Sequence, residues 1–445
     1  MNPLTNFLAE PTQIRWSPEE VMFDGNANED LARLARMLQV AYGALGFAEG
    51  HGFETYDPSD FKGTKILLCS YAKGMFFGRL LRLIMFGGAY VAPIGFRKLL
   101  GVKPSRVAHA SAMLASAYIE LAHLTSEGLW MLRAKSLLQW LERNAVESPV
   151  GESWGLPFPW FTYAGALPTT VGNAHSTIWS ANAFLSYFEA TRDPWALEHS
   201  IRACDFFAYG LNSVERSSAS VAISYTPKDR SQCINVNADA ASLLLRVGKA
   251  AARLEYSEVA RRIVQFVIET QNPDGSWYYD APVPGVRRVI FIDGFHTAIV
   301  LSALTQIISE LQEVPDLKKD CESALNKGLT FYIQNLFMPD GKPRYKLRRL
   351  YPIDPYSCGQ AINTLIDAID CGALDIQLRE KAGELLPKLV DQTLNLMLDS
   401  DGSFFTARYR FRILRLRSMR WAQAVLALAF VRYSRFLLSR LKAEN

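Results

Sequence analysis

The stretch Gln271-Asn272-Pro273-Asp274-Gly275-Ser276-Trp277-Tyr278 decides how this chain is read, because it recurs. A second copy runs Asn335-Leu336-Phe337-Met338-Pro339-Asp340-Gly341, and a third runs Asn395-Leu396-Met397-Leu398-Asp399-Ser400-Asp401-Gly402-Ser403-Phe404. Gly151-Glu152-Ser153-Trp154 is a worn copy upstream. Gly341 follows Gly275 by 66 residues, Gly402 follows Gly341 by 61, and Gly151 precedes Gly275 by 124, two steps of the same size. A fixed period of this kind marks a repeat architecture, in which each unit buries its apolar face against its neighbours.

Between the copies the apolar pattern is helical and of two kinds. Tyr256 to Gln271 carries Val259, Ile263, Phe266 and Val267 on one stripe, as an outer amphipathic helix does. Asp293 to Leu311 is apolar nearly all round, which requires burial on both sides. The alternation continues. Ala/Ser/Leu-rich helices open near Arg106, His175, Asn235, Asp293, Asp354 and Met419, and more charged ones near Leu129, Pro194, Tyr256, Asp316 and Asp375. Short turns join the helices of a hairpin, and long loops such as 272–292 and 338–353 lead to the next hairpin. Five hairpins and a last helix need one partner, for which Glu29 to Leu45 is the candidate. The fold expected is all-α, an (α/α)6 toroid of helical hairpins with the long loops at one end. Residues 105–445 would form the toroid repeat, and residues 1–104 an N-terminal extension with helices that complete the ring. Strand signals are weak; Val286 to Ile292 is one candidate.

The bulk numbers fit one large soluble unit. The 445 residues are 49% hydrophobic, and a net charge of +4 gives no reason to expect nucleic acid. Six scattered cysteines without a CxxC pair read as reduced, buried thiols in a cytoplasmic protein. Met1 to Trp16 lacks a basic start and an apolar core, so no signal peptide is expected. The apolar stretch from Leu83 to Phe96 has 14 residues, too few for a spanning helix.

In a toroid every inner helix starts at the end that carries the long loops, with free N–H groups and the positive end of its dipole facing the mouth. Residues at these starts should therefore converge: His109, His175, Asn237, Asp293 and His296, Asp354, and Arg420 with Trp421. Asp293 and Asp354 each suit an N-cap, and capping alone would account for both. Carboxylates facing each other across a cavity would also suit glycosidic acid–base chemistry. His296, one turn into its helix, and His175 are candidate acids or bases. Trp154, Phe158, Trp160 and Tyr163 in one loop, Trp277, Tyr278 and Tyr279 in another, and Tyr351 could stack on sugar faces or close the end of the ring as core. The rim is basic, with Lys342, Arg344, Lys346, Arg348 and Arg349 in one loop and Arg408, Arg410, Arg412, Arg415, Arg417 and Arg420 in another. Arginine suits carboxylate or phosphate, although a solvated basic face is the commoner cause of such runs. Lys62 to Arg106 holds nine Lys/Arg, no Asp/Glu and many large apolar residues, a composition suited to packing with a basic outer face or to an anionic membrane surface.

HExxH, phosphate-loop and nucleophile-elbow motifs are absent from the sequence, and no metal or cofactor is expected. Gln271-x-x-Asp274-Gly275-Ser276-Trp277 resembles the QxxxGxW-type repeat of terpenoid cyclases and protein prenyltransferases, which are α/α toroids. The cyclase DxDD motif and the transferase zinc motif are missing. A longer set of segments comprises Trp154-Gly155-Leu156-Pro157-Phe158-Pro159-Trp160, Asn235-Val236-Asn237, Gln271 to Tyr279, Ile292-Asp293-Gly294-Phe295-His296-Thr297, Tyr351-Pro352-Ile353-Asp354 and Met419-Arg420-Trp421-Ala422-Gln423-Ala424. Over residues 150–430 these resemble VpsJ-like bacterial polysaccharide-biosynthesis proteins, with Gly294 and Leu156 standing where that pattern has Asn and Tyr. The resemblance implies a six-hairpin toroid related in shape to glycosidases, polysaccharide lyases and sugar epimerases, found with capsule and exopolysaccharide genes.

The function expected is therefore carbohydrate-active, in surface-polysaccharide assembly. The partner would be a glycan or lipid-linked sugar, anionic in character. Asp293, His296, Asp354 and His175 would be catalytic. Trp154, Trp160, Asn237, Trp277, Tyr278, Tyr279, Tyr351, Arg408, Arg420 and Trp421 would bind substrate. The protein is expected to be cytoplasmic, with residues 62–106 read first as packed helix with a basic outer face and, as the alternative, as a peripheral contact with the inner membrane. The rivals are a non-catalytic glycan-binding or scaffold subunit and an isoprenoid cyclase or transferase.

Overall fold

The computed structural model describes residues 29–72, 75–148, 150–162, 165–282 and 290–444. Met1 to Trp16, Tyr163 and most of the candidate strand 286–292 lie outside these residues. The helices in chain order are α1 (Glu29–Gly50), α2 (Lys65–Ala72), α3 (Met75–Val91), α4 (Pro93–Leu99), α5 (Ala108–Thr125), α6 (Gly128–Arg143), α7 (Ala174–Thr191), α8 (Pro194–Asp205), α9 (Ile234–Ala250), α10 (Leu254–Glu269), α11 (Gly294–Glu310), α12 (Pro315–Asn335), α13 (Pro355–Asp370), α14 (Ile376–Met397) and α15 (Ala424–Glu444), the last preceded by a π-turn at Met419–Gln423. Helices α5, α7, α9, α11, α13 and α15 pack in sequence, and α15 returns to α5 to close an inner ring. Helices α6, α8, α10, α12 and α14 each pair with the inner helix before them, and α1 packs along α15. The architecture is the all-α toroid, and the repeat helices begin within about two residues of their sequence-derived starts, except that a π-turn occupies Met419–Gln423 before α15.

The recurring glycines explain the ring. Gly275, Gly341 and Gly402 have φ of +90°, +86° and +80°, a region open to glycine and strained for other residues. Each turn is held by the preceding aspartate. Asp274 Oδ1 accepts the Ser276 N–H at 3.0 Å, Asp340 Oδ1 that of Lys342 at 3.2 Å, and Asp401 Oδ1 that of Ser403 at 3.1 Å. Each glycine also abuts the next outer helix. A Cβ on Gly275 would stand 2.4 Å from the Lys327 carbonyl of α12, and one on Gly341 would stand 2.7 Å from Cβ of Lys388 of α14. Gly151 meets the Arg202 carbonyl of α8 in the same way at 2.2 Å, and Gly402 meets Gly43 of α1. The turn after one outer helix is thus the seat for the next, and the last seat receives α1. Gln271 fastens the best-formed copy, donating from Nε2 to Gly275 O and to Ala324 O of α12.

The aromatic that follows each turn is structural. Trp277 is 2% exposed and donates Nε1–H to Val267 O of the preceding outer helix. Trp154 is fully buried and donates to Leu141 O in the same way. Neither leaves a ring face for a sugar, so both expected stacking roles are corrected: Trp277 packs between α10 and Gly328 of α12, and Trp154 between α6 and Phe184 of α7.

Four two-stranded hairpins, unforeseen in sequence, decorate the loops: β1 (Val146–Ser148) with β2 (Gly151–Ser153), β3 (Trp160–Thr162) with β4 (Gly165–Leu167), β5 (Ser213–Glu215) with β6 (Val221–Ile223), and β7 (Ala407–Arg408) with β8 (Ile413–Leu414). Strands of two or three residues are too short to show an alternation. All six cysteines are free, and Cys69 on α2 is exposed, contrary to the expectation that all are buried.

Substituting Gly275→Ala combines backbone strain with a backbone collision, and we expect it to destabilise the fold by about 2–4 kcal/mol. Gly402→Ala meets only an ordinary contact at 3.5 Å and should cost less. Denaturant unfolding of the two variants checks the order.

Candidate functional site

Four inner-helix starts are capped by side chains. Asn173 Oδ1 accepts the Ser176 N–H, Asp293 that of His296, Asp354 that of Ser357, and Ser418 Oγ that of Trp421. These caps anchor the helix ends around a cavity of about 160 Å³ at the mouth of the ring. Its lining includes His109, Trp160, His175, Tyr225, Asn235, Tyr279, Phe295, His296, Tyr356, Arg420 and Trp421. The aromatic wall is continuous: Tyr279 and Phe295 meet His296 edge-on at 4.5 and 4.6 Å between ring centroids, and Tyr356 meets Phe295 at 4.6 Å and Trp421 at 5.1 Å. A neighbouring hollow of about 330 Å³ shares Trp160, Tyr225 and Tyr279.

Three imidazoles face this space, and each is held differently. Asp293 takes the Nδ1–H of His296 at 2.8 Å, which leaves Nε2 as the basic nitrogen. His175 Nε2 lies 3.1 Å from the Tyr356 hydroxyl. Burial, then the neighbouring Arg420 and His296, lowers the His175 pKa to about 3. His109 Nδ1 lies 3.1 Å from Ser176 Oγ, and burial followed by the nearby His175 and Arg420 holds its pKa well below the usual histidine range. Both are neutral bases at pH 7. His109 Nε2, Asn235 Oδ1 and Trp421 Nε1 are buried and have no protein hydrogen-bond partner among the described residues. Buried polar atoms are normally satisfied, so this trio marks where a polar guest would bond.

Arg420 is committed to the protein. Its Nε and Nη2 bind Asp57 Oδ2 and Oδ1 at 2.5 and 2.6 Å, both residues being buried. Burial would lower the guanidinium pKa, but Asp57 reverses the effect. Thr55 Oγ1 accepts the Met419 N–H at 2.7 Å, so the segment after α1 is tied across the rim. Asp57 has no periodic or motif signal in the sequence, and its role appears only when residues 363 positions apart meet.

Comparison with known proteins agrees with this architecture. No family model matches the chain, and no curated protein matches it. Solved structures do. A cellobiose 2-epimerase from Bacillus thermoamylovorans superposes with a TM-score of 0.56 at 11% identity, over 74% of this chain and 88% of that one. A polysaccharide lyase gives 0.56 at 12% identity, over 75% and 90%. An inactive α-1,6-mannanase of Salegentibacter, with two consecutive aspartates changed to asparagine and α-1,6-mannotriose bound, gives 0.54 at 13% identity, over 73% and 89%. At these identities the likeness shows the toroid fold alone.

Of the expected site residues, His175, His296, Trp160, Tyr279, Arg420 and Trp421 meet at the cavity. Asp293 stands behind His296. Five others are turned elsewhere. The Asp354 carboxylate is spent on its helix start, bonded to the Ser357 N–H and hydroxyl at 2.9 and 2.8 Å, and burial raises its pKa. Asn237 is fully buried and closes the β5–β6 hairpin through Ile223 N and O. Arg408 donates Nε–H to Leu396 O. Tyr351, before a cis Pro352, and Tyr278 are half-buried outside the cavity lining. The rim arginines are also engaged: Arg417 pairs with Asp399 and Asp401, and Arg412 with Val91 O. Tyr225, Tyr356 and Asn235 join the site without having been singled out; only their position beside helix starts could have suggested them.

A second cavity of about 590 Å³ opens among the later turns of the inner helices, lined by Asp239, Arg246, Asp367, Arg432 and others. Burial, then Asp367, raises the Asp239 pKa to about 8. Among the described residues no group of three or more His, Cys, Asp or Glu side chains is arranged to hold a metal ion.

The depressed His175 pKa has a definite sign. Between the unfolded value near 6.5 and the folded value of about 3, the unfolded chain binds the extra proton, so stability falls as pH drops through that window. Each such imidazole changes the folding equilibrium by up to about tenfold per pH unit. Unfolding midpoints between pH 7 and pH 4 should fall less steeply for His175→Gln than for the parent protein.

Proposed function

We propose that this chain is a sugar-modifying enzyme of bacterial surface-polysaccharide assembly, using histidine acid–base chemistry of the epimerase type. The observation that carries the proposal is the make-up of the mouth cavity: three imidazoles line it and no carboxylate does. Epimerisation removes a proton from one face of an acidic carbon and returns one to the other face, which calls for a base on one face and a proton donor on the other. His296 on α11, oriented by Asp293, offers the base through Nε2, and the Tyr356 hydroxyl, hydrogen-bonded to His175 on α7, offers the proton. Sugar hydroxyls both donate and accept, and so would satisfy Asn235 Oδ1 and Trp421 Nε1 together. The aromatic walls suit the apolar faces of a sugar ring, and the small volume suits one ring at a time.

The toroid neighbours include an epimerase, a lyase and hydrolases, which makes a glycan the first class of ligand to try. The mannanase variant lacks activity when two consecutive aspartates are changed, whereas this chain contains no Asp-Asp pair. The extended sequence pattern of residues 150–430 supports the polysaccharide setting, in which an acidic glycan or lipid-linked sugar is the ligand to try. A hydrolytic reading would have to move to the rear cavity, where the high Asp239 pKa beside Asp367 resembles an acid and base pair. A binding-only subunit is the remaining alternative, since Asp293 and Asp354 both cap helices. An isoprenoid cyclase is disfavoured by the cavity's size and three imidazoles.

The test is incubation with mono- and oligosaccharides, neutral and uronic, in heavy water with mass-spectrometric readout. Deuterium should enter the sugar, and His296→Gln should slow exchange by about 10²–10⁴-fold. Asp354→Asn should leave the rate within a few-fold of the parent. New reducing ends abolished by Asp239→Asn, with His296→Gln active, would overturn the assignment.

A further inference from the structure

Helix α3 is apolar on two opposite faces. Met85 and Ala89 face inward onto Phe61 and Leu67, with Leu81 packed beside them, forming a small core separate from that of the ring. Leu80, Leu83, Ile84 and Val91 point the other way and are 47%, 71%, 57% and 63% exposed. Their spacing of three, four and seven residues makes a stripe about 16 Å long at the helical rise of ~1.5 Å per residue. Water meets it directly. The stripe continues onto Ile94 and Leu99 of α4, 42% and 81% exposed. It is joined by Phe411, 90% exposed in the β7–β8 loop, which is tied to the end of α3 by Arg412 bonding Val91 O and by the Tyr90–Tyr409 ring contact at 5.0 Å. An apolar face of this extent is unusual on a soluble surface and marks an interaction site.

The surrounding charge selects the partner. Lys65, Arg79, Lys98, Lys103 and Arg410 are exposed on the segments that carry these apolar residues. The sequence has no acidic residue from Lys62 to Arg106, and none from Gly402 to Ala443. Two segments distant in the chain therefore combine into one apolar, basic surface. We propose that this surface docks on an anionic lipid bilayer, with the α3 stripe, Leu99 and Phe411 entering the headgroup boundary and the flanking cations meeting lipid phosphates. No helix of the described residues is long and apolar enough to cross a membrane, so the contact is interfacial. The surface lies beside the mouth: Lys62, at the foot of this layer, senses Arg420 and Asp57, and β7 pairs with Ile353 at the start of α13. Docking would hold the mouth close to lipid-linked or membrane-bound sugar. The proposal stands on the surface alone and not on the histidine chemistry.

The test is co-sedimentation of the full chain with vesicles of phosphatidylcholine alone and of equal parts phosphatidylcholine and phosphatidylglycerol, with light scattering of the free protein. Binding is expected to the anionic vesicles, to weaken with salt, and to fall about tenfold or more in Leu83→Glu/Ile84→Glu and in Phe411→Asp. Because these side chains are exposed, unfolding midpoints should stay at the parent value, and deuterium exchange into a soluble sugar should be unchanged. A protein that ignores both vesicle types overturns the proposal. So does a dimer that the same variants dissociate, which would make a second copy the occupant.

Discussion

Everything in this toroid depends on how the end of one outer helix seats the next. The seat is a glycine at positive φ, pressed against a neighbouring helix where a Cβ would have to stand 2.2 to 2.7 Å from other atoms at Gly151, Gly275 and Gly341. An aspartate side chain fixes the turn at Gly275, Gly341 and Gly402, and a buried tryptophan after Gly151 and Gly275 ties the turn to the preceding outer helix. At Gly151 the turn is further secured by Glu152, which pairs with His199 and Arg202 of α8. The contact of Gly402 with Gly43 is the same joint used to bring α1 in against the end of the repeat.

Regular seating puts all six inner-helix starts at one end, and the chemistry follows from that alignment. Side-chain caps satisfy the free N–H groups there, so Asn173, Asp293, Asp354 and Ser418 are structural first. Asp293 does both tasks, because its second bond orients His296. The imidazoles of His109 and His175 are kept neutral by burial and by the fixed positive charge of Arg420, itself held by Asp57. Removing Asp57 alone would leave a buried guanidinium without its partner, a costly state. Asp57, in the segment after α1, is thus part of the electrostatics of the site.

The fold was largely legible in the sequence, and the site only in part. Periodicity and the glycine spacing gave the toroid and the helix starts, because both are local or repeated signals. They also brought His175, His296, Trp160, Tyr279, Arg420 and Trp421 to the same rim. The same motif misdirected the reading of Trp154 and Trp277: an aromatic after a Gly turn looks like a rim residue, yet its ring fills the gap behind the turn. Asn237 failed for a related reason, since an amide at a helix start can serve a cavity or a neighbouring hairpin, and here it serves Ile223.

What the sequence determined by itself is the repeat. Its period, its alternation of one-sided and all-round apolar helices and its capping residues are each set within a few tens of residues. What only the tertiary structure decided is which polar groups are already spent. Asp354 is consumed by its own helix start, and Arg420 by an aspartate 363 positions away, whereas His109, Asn235 and Trp421 are left with unmet hydrogen bonds around one cavity. Hydrogen-bond capacity is a property of residue type, but its remainder after folding depends on partners distant in the chain, and no local pattern encodes that.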